Sequence, residues 1–129
     1  DSRGYILEKG NLTRVTEDHS LVNELIKEGE LSPEEAEHHP KKNIITRSLG
    51  ISENSELDEE FFQITKNSIL MLCTDGLTNM VEDTKLERLL NISESLPDKC
   101  QRLVDEANRA GGNDNISVLL VSFDEEVKY

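Results

Sequence analysis

The chain has 129 residues, enough for one domain, and sets 27 Asp and Glu against 14 Lys and Arg for a net charge of −13. That acidity argues against nucleic-acid and anionic-membrane partners, which repel such a surface. No apolar run approaches the roughly 18 residues that would span a bilayer.

Ser2 to Glu8 reads as a mostly alternating strand, with Tyr5 and Leu7 set against Arg3, Ile6 and Glu8. Lys9-Gly10-Asn11 is a turn and Leu12 to Thr16 a second strand, so the chain opens on a hairpin. It opens on Asp1-Ser2-Arg3 with no initiator Met and no apolar leader, so nothing marks it for export and a cytoplasmic protein is expected; a strand that starts at residue 1 without a lead-in predicts the C-terminal part of something longer. Glu17 to Ser20 leads into a short helix with an apolar stripe of Leu21, Val22, Leu25 and Ile26, ended by Gly29. Ser32-Pro33-Glu34-Glu35 carries the marks of a helix start: an N-cap, Pro in the first turn and a capping-box Glu. Pro40 stops that helix near His39. Two short helices followed by Lys41-Lys42-Asn43 suggest an inserted subdomain, and Ile44 to Leu49 a brief extended piece.

Ser52 to Glu60 is an acidic loop, and Phe61 to Ile64 a short strand candidate. Ser68 to Thr74 is a continuous apolar run, the mark of a strand buried on both faces, and it ends abruptly in Asp75-Gly76. Asp83 is the expected cap of a helix with a Leu86, Leu89 and Leu90 stripe. From about Pro97 to Ala110 a second helix places Cys100, Leu103, Val104 and Ala107 at i, i+3, i+4 and i+7, with Gly111-Gly112 as its stop. Ile116 to Phe123 is the last apolar strand. Cys73 and Cys100 read as reduced, buried small hydrophobes.

Asp75 directly follows one apolar strand and Asp114 directly precedes the other. If the two strands pair antiparallel, both carboxylates share one rim of a sheet; in a parallel pairing they lie at opposite ends. Asp1 precedes a strand and could join them. Carboxylates that converge without Lys or Arg between them repel, a cost tolerable around a divalent cation, and all-oxygen ligands favour Mg²⁺ or Mn²⁺ over Zn²⁺. The plainer alternative is that Asp75 makes a turn and Asp114 an Asx-turn or cap.

Asp1-Ser2-Arg3, Leu72-Cys73-Thr74-Asp75-Gly76-Leu77-Thr78 and Gly111-Gly112-Asn113-Asp114-Asn115-Ile116 resemble, in order and spacing, motifs of bacterial metal-dependent serine/threonine protein phosphatases of the 2C type. Thr16 to Ser20 and His39 to Gly50 also resemble that family's segment after the hairpin, so the resemblance covers essentially the whole chain. It implies an α+β fold, the C-terminal portion of a four-layer α-β-β-α sandwich with mainly antiparallel sheets. Residues 1–129 would form the C-terminal part of one catalytic domain, with a flap-like insertion at about 19–50. It further implies that Asp75 and Asp114 hold part of a binuclear Mn²⁺ or Mg²⁺ centre, and that Asp1 with Asp75 matches the ligands of a third, weaker metal. His39, Asn43 and Arg47 fall in the flap-like segment that governs substrate access.

The implied activity is hydrolysis of phosphoserine and phosphothreonine in proteins by a metal-activated water. No covalent intermediate is required, so neither cysteine need be a nucleophile. Relative to the family pattern, the N-terminal half is absent, and with it the Arg that meets the substrate phosphate and the Asp-Gly pair that bridges the metals. The expected partners are therefore phosphorylated proteins and that missing half. The isolated chain should be almost inactive, with dimerisation through exposed sheet as a further expectation. The alternative is a non-catalytic interaction or regulatory module of the same fold.

Overall fold

The computed structural model describes residues 2–42, 44–47, 53, 57–59 and 61–124. They fall into two compact units, one of residues 17–60 and one of residues 2–16 together with the chain from 61 onward.

The second unit is α+β and is built on a four-stranded antiparallel sheet in the order β2-β1-β3-β4. Strands β1 (Ser2–Glu8) and β2 (Asn11–Arg14) form the opening hairpin. Its two turn residues, Lys9 and Gly10, both have positive φ, 49° and 80°, the type I′ geometry that matches the twist of the strands it joins. Strand β3 (Ser68–Thr74) then pairs with β1, Ser2 opposite Thr74 and Leu7 opposite Ile69. Strand β4 (Val118–Phe123) pairs with β3, Cys73 opposite Val118 and Ser68 opposite Phe123.

One face of this sheet carries Tyr5, Leu7, Ile69, Met71, Cys73 and Leu120, and helices cover it. The one-turn helix α3 (Asp75–Thr78) contributes Leu77, helix α4 (Asp83–Leu90) contributes Leu86, Leu89 and Leu90, and α5 (Leu96–Arg109) contributes Leu103 and Ala107. Helix α5 starts on Ser95, whose hydroxyl accepts from the Asp98 N–H. It ends where Gly111 and Gly112 N–H groups bond back to the Asn108 and Ala107 carbonyls, a closure that uses the positive φ of both glycines.

The opposite face is different from the sequence expectation. Strand β3 was expected to be buried on both sides, yet Leu72 is 43% exposed, and its neighbour Leu119 on β4 is 55% exposed. The apolar run is real, but on this side β3 and β4 stay open at Leu72 and Leu119, whereas Gly4 and Ile6 of β1 are buried. Phe61 to Ile64 is likewise not a strand. Phe61 and Ile64 are exposed, and no described strand pairs with the segment, so its apolar pattern lacks the ladder that would define it. Strand β1 also departs from alternation: Gly4, Tyr5, Ile6 and Leu7 are all buried.

Asp83 does not cap α4. Glu82 holds the N-cap position without a side-chain bond, and Asp83, the first residue of the helix, instead accepts from the Tyr5 hydroxyl through Oδ1 at 3.0 Å. Burial, opposed by the Arg3 guanidinium and helped by Asp83, pushes the Tyr5 pKa from 10.0 up to about 12. The folded state thus holds the phenolic proton more tightly than the unfolded chain does. Stability conferred by this difference is complete below the unfolded pKa and is lost as the pH rises from about 10 to about 12. Tyr5→Phe should remove that alkaline loss, of order 2 kcal/mol, read as the pH dependence of the urea midpoint against the parent chain.

In the other unit, α1 (Leu21–Lys27) is capped by the Ser20 hydroxyl. It closes at Gly29 (φ 78°), with Gly29 and Glu30 N–H groups donating to the Ile26 and Leu25 carbonyls. Helix α2 (Pro33–Glu37) has the full capping box between Ser32 and Glu35 and stops before Pro40, as the sequence predicts. The expected extended piece after residue 43 is reduced to a single bridge, Ser20 opposite Ile45; its end at 48–50 lies outside the described residues. No helix among the described residues is long and apolar enough to cross a membrane.

Candidate functional site

The antiparallel pairing of β3 and β4 decides whether Asp75 and Asp114 lie at one end of the sheet or at opposite ends. With Cys73 opposite Val118, the chain leaves β3 at the end of the sheet where it enters β4. Asp75 is the first residue of α3, and Asp114 lies in the loop that leads into β4. Both therefore belong to one rim.

Thr74 and Gly76, the two neighbours of Asp75, fasten that loop. The Thr74 N–H donates to the Ser117 carbonyl at 3.1 Å. The Thr74 hydroxyl accepts from the Ser117 N–H at 3.0 Å and donates to the Asn115 carbonyl at 3.4 Å. Gly76 lies so close to Asn115 that a Cβ on it would sit 2.1 Å from the Asn115 carbonyl oxygen. The glycine is required by close approach of backbone to backbone. Residues 74 and 76 thus grip the stretch immediately after Asp114 while residue 75 presents its carboxylate between them in sequence.

Among the described residues, no hydrogen bond or ion pair engages the Asp75 carboxylate. Asp114 Oδ1 accepts only the N–H of the next residue, Asn115, at 2.7 Å, the Asx-type local bond that the plainer reading expects. Asp75 is half-buried and Asp114 exposed. Two carboxylates that make no ion pair among the described residues, offering oxygen alone, suit a hard divalent cation. Two carboxylates alone do not make a centre: among the described residues, no three His, Cys, Asp or Glu side chains are grouped to hold a metal. A hollow of about 410 Å³ lies on the uncovered sheet face beside the rim, bounded by Arg3, Gly4, Leu72, Thr74 and Ser117 among others.

Of the remaining candidates, Asp1 and Asn43 lie outside the described residues. His39 is occupied locally, its Nδ1 accepting the Lys41 N–H at 3.1 Å in the turn around Pro40. The Arg47 guanidinium donates to Asp58 Oδ1 at 2.6 Å. Cys73 is a free, buried thiol whose pKa burial pushes up to about 11, so almost none of it is the nucleophilic thiolate near neutral pH. The sequence names Thr74 and Asn115 only as motif members and Asp58 only as part of an acidic loop, because their roles are set by partners far along the chain; a Thr preceding Asp-Gly is the only local sign.

The family model described as Stage II sporulation protein E (SpoIIE) matches residues 16–124. The serine/threonine phosphatase stp of Listeria welshimeri is 48% identical over 121 residues, 94% of this chain and 48% of that protein. Among solved structures, the Streptococcus agalactiae serine/threonine phosphatase superposes with a TM-score of 0.89 at 41% identity, covering 97% of this chain and 51% of that one. The catalytic domain of the serine/threonine protein phosphatase PstP, solved in complex with two manganese ions, gives 0.77 at 35% identity, with 96% and 51% covered. The chain thus spans about half the length of the relatives it matches. Ordered motifs, an antiparallel α+β sheet and these likenesses agree: the chain belongs to the family described by the SpoIIE model, and its relatives are bacterial serine/threonine phosphatases of the 2C, or PPM, type.

Proposed function

We propose that this chain forms the C-terminal part of a catalytic domain that hydrolyses phosphoserine and phosphothreonine in proteins, and that Asp75 and Asp114 are ligands of its Mn²⁺ or Mg²⁺ centre. The observation that carries this reading is the shared rim: antiparallel β3 and β4, fastened through Thr74, Gly76 and Asn115, in a chain whose relatives are named phosphatases. That no ion pair among the described residues engages these carboxylates, and that the PstP structure holds two manganese ions, support the choice of cofactor. When bound, such cations supply Lewis acidity for attack of water on a phosphoester and offset the charge that develops on the phosphoryl group. Within this chain, Asp75 and Asp114 supply negative charge at the rim, and Thr74 and Gly76 hold the loop that carries Asp114.

Asp1 is proposed as a ligand of a third cation; its support is that the next residue, Ser2, pairs with Thr74 beside the rim. The separate unit of residues 17–60 supports reading about 19–50 as a flap-like insertion, with His39, Asn43 and Arg47 acting in substrate access. The uncovered apolar face of Leu72, Leu119 and Val121 supports a second layer, supplied by the rest of the domain or, for the chain alone, by another copy of itself. Two free thiols among the described residues fit a cytoplasmic setting.

The test is hydrolysis of a phosphothreonine peptide by the full-length protein and by residues 1–129 alone. The full-length protein should turn over only with Mn²⁺ or Mg²⁺ and stop on chelation, and the 129-residue chain should show little activity. Absence of turnover by the full-length protein with either metal would sink the catalytic reading in favour of a non-catalytic module of the same fold.

A further inference from the structure

A single carboxylate joins three separate pieces of the 17–60 unit. The connector before α1 lies against the segment 44–46 through a short ladder: the Leu21 N–H donates to the Ile44 carbonyl at 3.0 Å, and the Thr46 N–H to the His19 carbonyl at 2.9 Å. On one side of that ladder stands the His19 ring, and directly after the other stands Arg47. Asp58 meets both. Its Oδ2 lies 2.6 Å from His19 Nε2 and its Oδ1 accepts from the Arg47 guanidinium at 2.6 Å. Facing a carboxylate, the imidazole Nε2 is the donor. Arg47, and after it His19, hold the Asp58 carboxyl below the usual carboxylate range.

We propose that Asp58 is a positioning residue, a pin that fixes the 44–47 segment against the 17–20 connector and thereby sets the direction of the Arg47 side chain. The pin itself stands on geometry. Two oxygens of one planar group restrain two donors from different segments at once, whereas the ladder they flank has, among the described residues, one bridge and two backbone bonds, few enough to fray without help. An exposed pair contributes little alone, but a carboxylate shared between two donors holds both in one geometry. The consequence for substrate rests on the phosphatase reading above: if Arg47 acts in substrate access, Asp58 governs how tightly a phosphoprotein binds without touching it.

The experiment compares Asp58→Ala and Asp58→Glu with the parent, in the full-length protein, by amide hydrogen exchange and by steady-state kinetics. In Asp58→Ala, exchange at the Thr46 and Leu21 amides should quicken about threefold to tenfold, while amides in the middle of α5 stay unchanged. KM for a phosphothreonine peptide should rise by a similar factor with kcat held, and a small aryl phosphate should show no such rise. Asp58→Glu should restore part of both effects. Unchanged exchange at Thr46 and Leu21 in Asp58→Ala would overturn the pin. Faster exchange with an unchanged peptide KM would overturn its link to substrate. If the parent hydrolyses no phosphopeptide, the phosphatase reading fails, and the exchange data still decide on the pin.

Discussion

Gly76→Ala should unfold or severely destabilise the sheet rim, lowering stability by about 3 kcal/mol, the upper end of what overpacking costs. The reason is the identity of the obstructing atom. A Cβ at position 76 would meet the Asn115 carbonyl oxygen at 2.1 Å and its carbon at 2.9 Å, and these are main-chain atoms that cannot rotate away. Relief requires the loop to retreat by about an ångström, since ordinary carbon–oxygen contacts lie beyond 3 Å. That retreat strains the bonds by which Thr74 holds Ser117 and Asn115. It also moves Asp114, one residue earlier, so any metal affinity should fall together with stability. Urea denaturation and Mn²⁺ titration of the same variant measure both. A fold as stable as the parent's would mean that the loop is not seated as described.

Asp75→Asn should do the opposite: activity lost, stability kept. In the full-length protein we expect turnover to fall by a factor on the order of a hundred or more, beyond the 10–100-fold typical when a residue merely supporting a ligand is changed. The urea midpoint without metal should stay level or rise slightly. Asn preserves shape, no described group is paired with the Asp75 carboxylate to be orphaned, and one of two mutually repelling charges at the rim is removed. Thermal melts should then show Mn²⁺ raising the Tm of the parent and not of the variant, because only a cation that binds the native state stabilises it. A large fall in the metal-free midpoint would place Asp75 among structural residues instead.

The two predictions separate what local sequence pattern conveys from what it does not. Leu86, Leu89, Leu90, Leu103 and Ala107 were legible as core because helical period alone selects them, and they are buried as expected. The glycine stops at Gly29 and Gly111-Gly112 were legible because positive φ excludes most other residues. The rim was legible as a conditional: Asp75 and Asp114 meet only if β3 and β4 run antiparallel, and strand direction is a tertiary fact. The misreadings share a cause. Burial of β3 on both sides and a strand at Phe61–Ile64 were inferred from apolar content, which records what a segment needs as a partner, not whether the described residues provide one. Asp83 looked like a cap, yet a tyrosine seventy-eight positions earlier takes its carboxylate. Asp58 was invisible for the same reason, its donors lying 39 and 11 residues back.

The pairing of β1 with β3 bears on how the chain reaches this state and how it can vary. The β1–β2 hairpin closes over a two-residue turn and can form within microseconds. Ser2, however, must find Thr74 across everything between, and long-range pairing of this kind is expected to be slower than the hairpin. Once the encounter is made, the length of the intervening chain matters little to equilibrium: doubling a long loop costs only about 0.6 kcal/mol in closure entropy. Residues 17–60 are therefore a place where insertions and deletions can accumulate over generations while the strand order survives. The segment carrying Arg47 and Asp58 can diversify at small thermodynamic penalty, and the strands that set Asp75 beside the start of β4 need not change with it.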